Sequence, residues 1–532
     1  MTSIVEQSRS TTHPEFWVLL TTSLVSSLIV LDSNIVAVSL PTMGRALGAS
    51  FTDIQWIVSA YVLTYAALLM ATGNFADLYG RRKAMLLGLG VFAVASFACG
   101  VAPTALLLNL ARAAQGFGGA LLLTSALAII SREFAGTERA GAFAFWGAAL
   151  GIALAIGPIV GGTITNYFGW RWIFFVNLPV TAILIWATLH FISESRDSDA
   201  KKLDYPGIVT FSGGLALLIW PLIDGNDDGW MSVSILARLA VSALLFGAFI
   251  IVELRQPRPM VDLTLFARPT FLGSVIAMIG YGASAQVMVY FLPLFLQNAY
   301  GFAPLAAGAA MLPFALPMVL APRLTSALAT RYSGRVLLTA GLSISLIGNL
   351  LFWAVSHAQL SYPIFVVSML VAGSGVGLLN GQTVKVLGSA VPPERAGMAS
   401  GLASTTRFIG VLLSVAGMGA VLANEVQVRF GAAASAAGLS NHAAEIAAKR
   451  VTSGDLSGLL QNVPQAIRSR LHDAGLAAFA DGFAAASLLG AVVAALACVL
   501  TFMLIRSADT APVPLAAGAN CPCKTIGCRA PL

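Results

Sequence analysis

Apolar residues along this chain neither alternate nor form a narrow stripe. They come in runs of helix length, broken by short polar connections. At a helix-length window the runs cover approximately residues 16–40, 54–74, 84–102, 105–130, 141–164, 171–192, 205–223, 233–252, 270–296, 304–328, 336–356, 361–384, 398–422 and 482–505. A helix that crosses the hydrocarbon core of a bilayer needs about 20 apolar residues. The pattern therefore predicts an all-α polytopic membrane protein with fourteen transmembrane helices. An even number of crossings puts both termini on one side.

The pattern also carries a repeat. Glu138-Arg139-Ala140-Gly141 follows the fourth run and Glu394-Arg395-Ala396-Gly397 follows the twelfth, an offset of 256. Gly80 before Arg81 and Gly334 before Arg335 are offset by 254, and Pro14-x-Phe16 and Pro269-x-Phe271 by 255. Three matches at nearly one offset argue for a duplicated six-helix unit. Segments 1–6 pair with 9–14, which leaves segments 7 and 8 as an inserted hairpin. The expected organisation is an N-terminal tail (1–15), a six-helix bundle (16–192), a linker with the inserted helices (193–268), a second six-helix bundle (269–505) with a long outside loop (423–481), and a C-terminal tail (506–532).

Charge sets the orientation. Of 532 residues, 58% are hydrophobic and only 10% charged, where soluble proteins carry about a quarter. The net charge of +7 is not a nucleic-acid patch. The basic residues recur in alternate connections: Arg81, Arg82 and Lys83; Arg132 and Arg139; Arg196, Lys201 and Lys202; Arg255, Arg258 and Arg268; Arg331 and Arg335; Lys385 and Arg395; Arg506. The opposite short loops hold only Arg45 and Arg171. This positive-inside bias predicts cytoplasmic termini and a multi-pass protein of the cell membrane. Arg112, Arg238, Arg323 and Arg407 remain within apolar segments, and of these Arg238 and Arg323 lie near enough to helix ends to snorkel. The first apolar run is too long for a cleavable signal.

Several function classes drop out. The dipeptide Gly-Lys is absent, so the chain has no phosphate-binding loop for ATP. No nucleophile motif and no metal-ligand cluster stands out. Cys521-Pro522-Cys523 and Cys528 lie in a tail expected to be unstructured, and Cys99 and Cys498 lie in apolar helices. The expectation is a chain that is no enzyme and carries neither cofactor nor metal.

Asp32 is the only acidic residue well inside a predicted helix. Desolvation there disfavours the charged form, so the carboxylate can carry a proton or pair with a cationic substrate. A structural pairing is the alternative. Arg112, always charged, needs a partner or a wet cavity unless it snorkels outward. Arg407, near the middle of segment 13, is set to hold an anionic substrate or an acidic partner, or else to bond carbonyls across a helix interface.

Gly73, Asp77, Gly80, Arg81 and Arg82 read as a gate latch. The glycines allow close approach and tight turning, and Asp77 can accept from Arg81 or a helix N-terminus. Gly151, Gly157, Gly161 and Gly162 let another helix come close, and Pro158 bends their own helix. Candidate cavity residues are Asn34, Tyr61, Tyr65, Tyr281, Gln286, Tyr290, Asn380 and Gln382, on segments 1, 2, 9 and 12. Segments 1, 2, 4, 5, 9, 10, 12 and 13 are expected to line that cavity. For each such residue interhelical bonding is the plainer alternative.

Taken in order, these motifs resemble the major facilitator superfamily, specifically its fourteen-helix drug:proton antiporters of the EmrB/QacA type. The resemblance rests on Leu31-Asp32-Ser33-Asn34 through Pro41, on Gly73-x3-Asp77-x2-Gly80-Arg81-Arg82-Lys83 and on Arg112-x2-Gln115-Gly116-x-Gly118-Gly119-Ala120. It rests equally on Gly147-x3-Gly151-x5-Gly157-Pro158-x2-Gly161-Gly162 and on Trp170-Arg171-Trp172 through Asn177-Leu178-Pro179. The resemblance implies a major facilitator fold, export coupled to the proton gradient, and a part for Arg112 in timing proton release from Asp32. Expected partners are a small-molecule substrate and membrane lipid, with no nucleic acid. Assistance by a periplasmic adaptor and an outer-membrane channel, as in some relatives, stays open. Two other readings stay open as well: a dedicated exporter of one endogenous metabolite or antibiotic, and a non-transporting membrane receptor or scaffold that meets a partner through 423–481.

Overall fold

The structure is a computed structural model that describes residues 13–196, 204–256, 259–391, 396–461 and 463–510. The tail residues 1–12, Lys201, Lys202, Pro257, Arg258, Glu394, Arg395 and the cysteine-bearing tail from 511 onward lie outside the described residues.

Among the described residues, fourteen helices are long and apolar enough to cross a membrane. The first five spans are α1 (His13–Leu47), α2 (Phe51–Tyr79), α3 (Arg81–Val101), α4 (Ala105–Glu133) and α5 (Gly136–Tyr167). The sixth joins α6 (Trp172–Phe175) to α7 (Asn177–Phe191), and α8 (Tyr205–Asp228) and α9 (Val233–Arg255) follow. The ninth joins α10 (Pro269–Gly280) to α11 (Met288–Asn298) through a π-helical turn, Tyr281–Gln286, and the tenth joins α12 (Pro304–Ala310) to α13 (Leu312–Leu328). The last four are α14 (Gly334–His357), α15 (Tyr362–Ser389), α16 (Ala396–Ala436) and α19 (Gln465–Leu504), with the short α17 (Asn441–Thr452) and α18 (Leu456–Gln461) between the final pair.

Local chemistry sets the breaks. The Ser50 hydroxyl accepts from the Asp53 amide while the Asp53 carboxylate accepts from the Ser50 amide, a capping box that starts α2. Thr104 and Ser232 cap α4 and α9 through their hydroxyls. Gly80, at φ 112°, separates α2 from α3 in a conformation that side chains rarely adopt. A Cβ there would sit 2.6 Å from the Glu194 carboxylate, which accepts from the amides of Arg82 and Lys83.

One expectation changes. Residues 423–481, read as a loop, are largely helical: α16 continues to Ala436, α19 already begins at Gln465, and α17 and α18 fill the gap. Alanine is the cause. The stretch is rich in this small, strongly helix-forming residue but too polar to register as an apolar run. α17 turns Ala444, Ala447, Ala448 and Val451 inward and lays Lys449 and Arg450 in its last turn.

α1 to α7 pack mainly on one another, as do α10 to α16 and α19, and α1–α11, α2–α16 and α5–α12 meet across the seam between the two groups. α8 and α9 pair and lean on the seam, with α8 touching both α2 and α16. Fourteen crossings bring the described chain ends to one face, termed the terminal face below.

The seam is closed at the opposite face and open at the terminal face. On the closed side Gln297 Nε2 donates to the Val38 carbonyl (2.7 Å), Gln55 Nε2 to Val415 (2.9 Å), Asn226 Nδ2 to Ala420 (2.9 Å) and Arg45 to Gly454 (3.2 Å). A cavity of about 610 Å³ enters from the terminal face. It runs between α2, α4 and α16, and Arg81, Arg139 and Met260 stand at its mouth.

Candidate functional site

Two glycine sets draw four helices around one carboxylate. A Cβ on Gly116 of α4 would run into the Tyr61 carbonyl of α2, and one on Gly118 would sit 2.9 Å from the Phe92 amide of α3. On α5, a Cβ at Gly157 would meet Asn34 at 2.6 Å, and one at Gly161 would meet Ile35 Cα at 2.8 Å. Only glycine permits these backbone approaches. They press α4 onto α2 and α3, and α5 onto α1, on either side of Asp32.

Asp32 is 1% exposed and Arg112 2%. Arg112 Nη1 donates to Asp32 Oδ2 at 2.6 Å. Oδ1 of the same carboxylate accepts from Gln115 Nε2 at 2.9 Å and from Asn177 Nδ2 at 2.8 Å. Arg112 is held in turn by the Ile57 carbonyl (3.1 Å), by Gln115 Oε1 (2.6 Å) and by the Tyr61 ring, 4.2 Å beneath its guanidinium. Gln115 also donates to Ser96 Oγ at 2.9 Å. Both carboxylate oxygens thus face donors only. A buried pair of this kind is tolerated because both carboxylate oxygens and the guanidinium have partners, while Asn177 Oδ1 and the Tyr61 hydroxyl are buried without one.

The sequence singled out Asp32, Arg112 and Tyr61, and the fold brings all three together. It did not single out Gln115, Asn177 or Ser96, which complete the cage. Their signal was present in part: Gln115 and Asn177 are lone amides inside two of the quoted motifs.

An aromatic ladder leaves the cage. Tyr65 stacks on Tyr61 at 6.0 Å, Phe408 of α16 meets Tyr65 edge-on at 4.8 Å, and Arg407 lies 4.7 Å over the Phe408 ring. Arg407 is half-buried, its Nε has no hydrogen-bond partner, and among the described residues no carboxylate lies within ion-pair reach of it. Tyr281 is buried in the π-helical turn, and Gln286 and Tyr290 are half-buried at and just past its end.

Other candidates lie elsewhere. Asn34 is buried, and its amide donates to Val30 O at 2.7 Å on its own helix. Asn380 is exposed and Gln382 buried on α15, and neither joins the Asp32 cage. The cavity is lined by Leu69, Gly73, Thr124 and Ser404 from segments 2, 4 and 13, about a turn short of Tyr65 and Arg407. None of its lining residues comes from segments 1, 9, 10 or 12.

At the cavity mouth Asp77 bonds Arg81 at 2.8 and 3.0 Å, and Arg81 reaches the Ala128 carbonyl. Arg82 donates to Leu189 O at 2.7 Å. A Cβ on Gly73 would lie 3.9 Å from Thr124 and one on Gly151 3.9 Å from Val319, both ordinary contacts on the open side. At the closed side a Cβ on Gly162 would lie 2.9 Å from Leu305 Cα, and one on Gly308 would strike the Pro158 carbonyl. Of the remaining arginines in apolar segments, Arg238 pairs with Asp224 at 3.5 Å and Asp228 at 3.6 Å near a helix end.

Comparison with known proteins agrees with this architecture. Residues 22–415 match the model of the Major Facilitator Superfamily. The chain is 36% identical over 406 residues to the multidrug resistance protein Stp of Mycobacterium tuberculosis, covering 76% of this chain and 75% of that protein. It is 32% identical to the methylenomycin A resistance protein of Streptomyces coelicolor, over 77% of this chain and 86% of that one. The multidrug efflux pump LfrA of Mycolicibacterium smegmatis is 30% identical over 92% of this chain and 97% of its own. Among solved structures, a bacterial homolog to the human lysosomal transporter Spinster, inward-facing and unoccupied, superposes with a TM-score of 0.62 at 16% identity over 94% of this chain and 99% of that one.

Proposed function

The chain belongs to the Major Facilitator Superfamily and is a multi-pass transporter rather than an enzyme, and from that premise we propose that it exports amphipathic small molecules in exchange for protons, by alternating access. The observation that carries this reading is the Asp32 carboxylate, sealed in a cage of three donors beside a seam open to one face only. The names of the relatives support the substrate class: multidrug resistance, methylenomycin A resistance and multidrug efflux are what those proteins do. The bias of basic residues toward the terminal face supports cytoplasmic termini, so the cavity opens to the cytoplasm and this state loads substrate.

Protonation supplies the switch. A proton arriving on Asp32 meets oxygens that face donors only, so at least one donor must leave. The proton also removes the charge that balances Arg112, and an uncompensated buried guanidinium is costly. The cage is therefore stable with Asp32 ionised and unstable with Asp32 protonated, and the two states prefer different packings of the seam. Asp77 and Arg81, paired in the open state, stand where the terminal side would close. Proton entry from the outer face drives the return of the empty carrier, and the proton gradient is the energy source.

The test is accumulation of a fluorescent dye in inside-out liposomes holding only this chain, under an imposed pH gradient. Uptake that rises with the gradient, accompanied by proton release, supports the reading. Uptake indifferent to the gradient overturns it.

A further inference from the structure

The charges at the seam do not balance. Deep in the spans, Asp32 and Arg112 cancel. Of the other acids on these helices, Asp77 pairs with Arg81, Asp224 with Arg238 and Asp481 with Arg429, while Glu253, near the end of α9, accepts from the Val261 amide. Arg407 is left. It sits one helical turn beyond Ser404 of the cavity lining, half-buried, its Nε unpartnered, with aromatic rings and no acid around it. Arg132 and Arg139 at the cavity mouth add positive charge, but topology alone accounts for them. Arg407 lies within the apolar span of α16, where an unpaired cation marks a substrate or ion path.

Asp32 cannot attract a cation in this state. Both its oxygens are occupied, one by a guanidinium and one by two amides. Among the described residues, a cation reaching Arg407 would meet its positive charge with no carboxylate within ion-pair reach of it. An anion would meet a guanidinium that no carboxylate of the described residues neutralises, with the Tyr281 side chain as its hydrogen-bond neighbour. The body of an aromatic or apolar anion would lie against Phe408, whose partly exposed ring rests on Tyr65 and Tyr61 buried behind it.

We propose that the substrate is an anionic amphipath, its carboxylate, phenolate or sulfonate head held by the Arg407 guanidinium and its body by the Phe408 face. This inference rests on the export reading for its transport step only; the anion site stands or falls by binding. Proton and substrate then occupy different groups. Asp32 and Arg407 communicate through the packing of the seam rather than by competing for one carboxylate.

The experiment uses the full chain in nanodiscs with three fluorescent probes: anilinonaphthalenesulfonate (anionic), its sulfonate-free analogue phenylnaphthylamine (neutral), and ethidium (cationic). The sulfonate binds at least about tenfold more tightly than the neutral analogue, a ratio worth one charge-assisted hydrogen bond. R407Q erases that ratio while the neutral analogue still binds, which shows the variant folded. R407K keeps most of it. D32N leaves sulfonate binding unchanged or tighter and abolishes its transport. Three results would overturn the proposal: a ratio that R407Q leaves intact, preference for ethidium over the sulfonate, or loss of sulfonate binding in D32N. Binding as expected with no proton-driven uptake would sink the export reading and leave the anion site standing. Proton-driven efflux of ethidium without sulfonate binding would do the reverse.

Discussion

The two halves of the molecule share a scaffold and differ in what they bury. Where the first half places Asp32, the repeat offset places Val287 in the second, equally buried. Around Asp32 stand a guanidinium and two amides. The second half's nearest counterpart is neutral: Asn349 Nδ2 donates to the carbonyls of Ser284 (2.9 Å) and Ser345 (2.8 Å). Arg407, a charge within one of its spans, sits at the position matching Gly151 of the first half rather than that of Arg112. Duplication thus supplies two bundles that can rock, and among the described residues only the first holds a carboxylate paired with a guanidinium in its interior. A transporter needs a single protonation switch at its seam, and a second buried acid would demand a second compensating cage.

That contrast can be broken in several ways. Asp32→Asn should abolish gradient-driven dye uptake in liposomes, with insertion and monodispersity retained; Val287→Asn should leave the pH dependence in place. Gly308→Leu should stop most transport by forcing a side chain into the Pro158 carbonyl, and a cysteine placed near Gly162 should become labelled from the opposite face. Arg112→Met should destabilise the protein by roughly 3–5 kcal/mol, since it strands a buried carboxylate, and D32N should recover most of that loss in a thermal melt. Asn177→Leu removes one of the three donors and should cost about 1–3 kcal/mol, seen as a lower melting temperature with slower uptake. Gln55→Leu touches only the closed side and should cost about 0.5–1.5 kcal/mol, with a small rise in outward labelling. If Asn349→Ala matched R112M in the melt, the asymmetry between the halves would be lost.

Much of the fold was legible because lipid makes one demand on every span: a long apolar run. Asp32 and Arg112 were legible for the same reason, as charges where none belongs. Their bond was not, since 80 residues separate them and only the α1–α4 approach joins them. Gln115, Asn177 and Ser96 escaped notice because neutral polar residues are common in membrane helices, where most bond their own backbone. Asn34 illustrates the point: it carries the same amide as Asn177 and uses it on Val30. The helical character of 423–481 was hidden by apolar-run reading, which detects partition into lipid and not helix formation.

The bonds that close the opposite face have a consequence for speed. Gln297, Gln55, Asn226 and Arg45 each reach a backbone carbonyl across the seam or over it, and no two share an acceptor. Such a seal can unzip one link at a time, with water taking over each carbonyl as its partner departs. The transition state for opening then has to lose only one or two links, each worth about 0.5–1.5 kcal/mol net, rather than all four together. A closure built this way is tight on average and yet quick to leave, which places its opening among collective motions of microseconds to milliseconds.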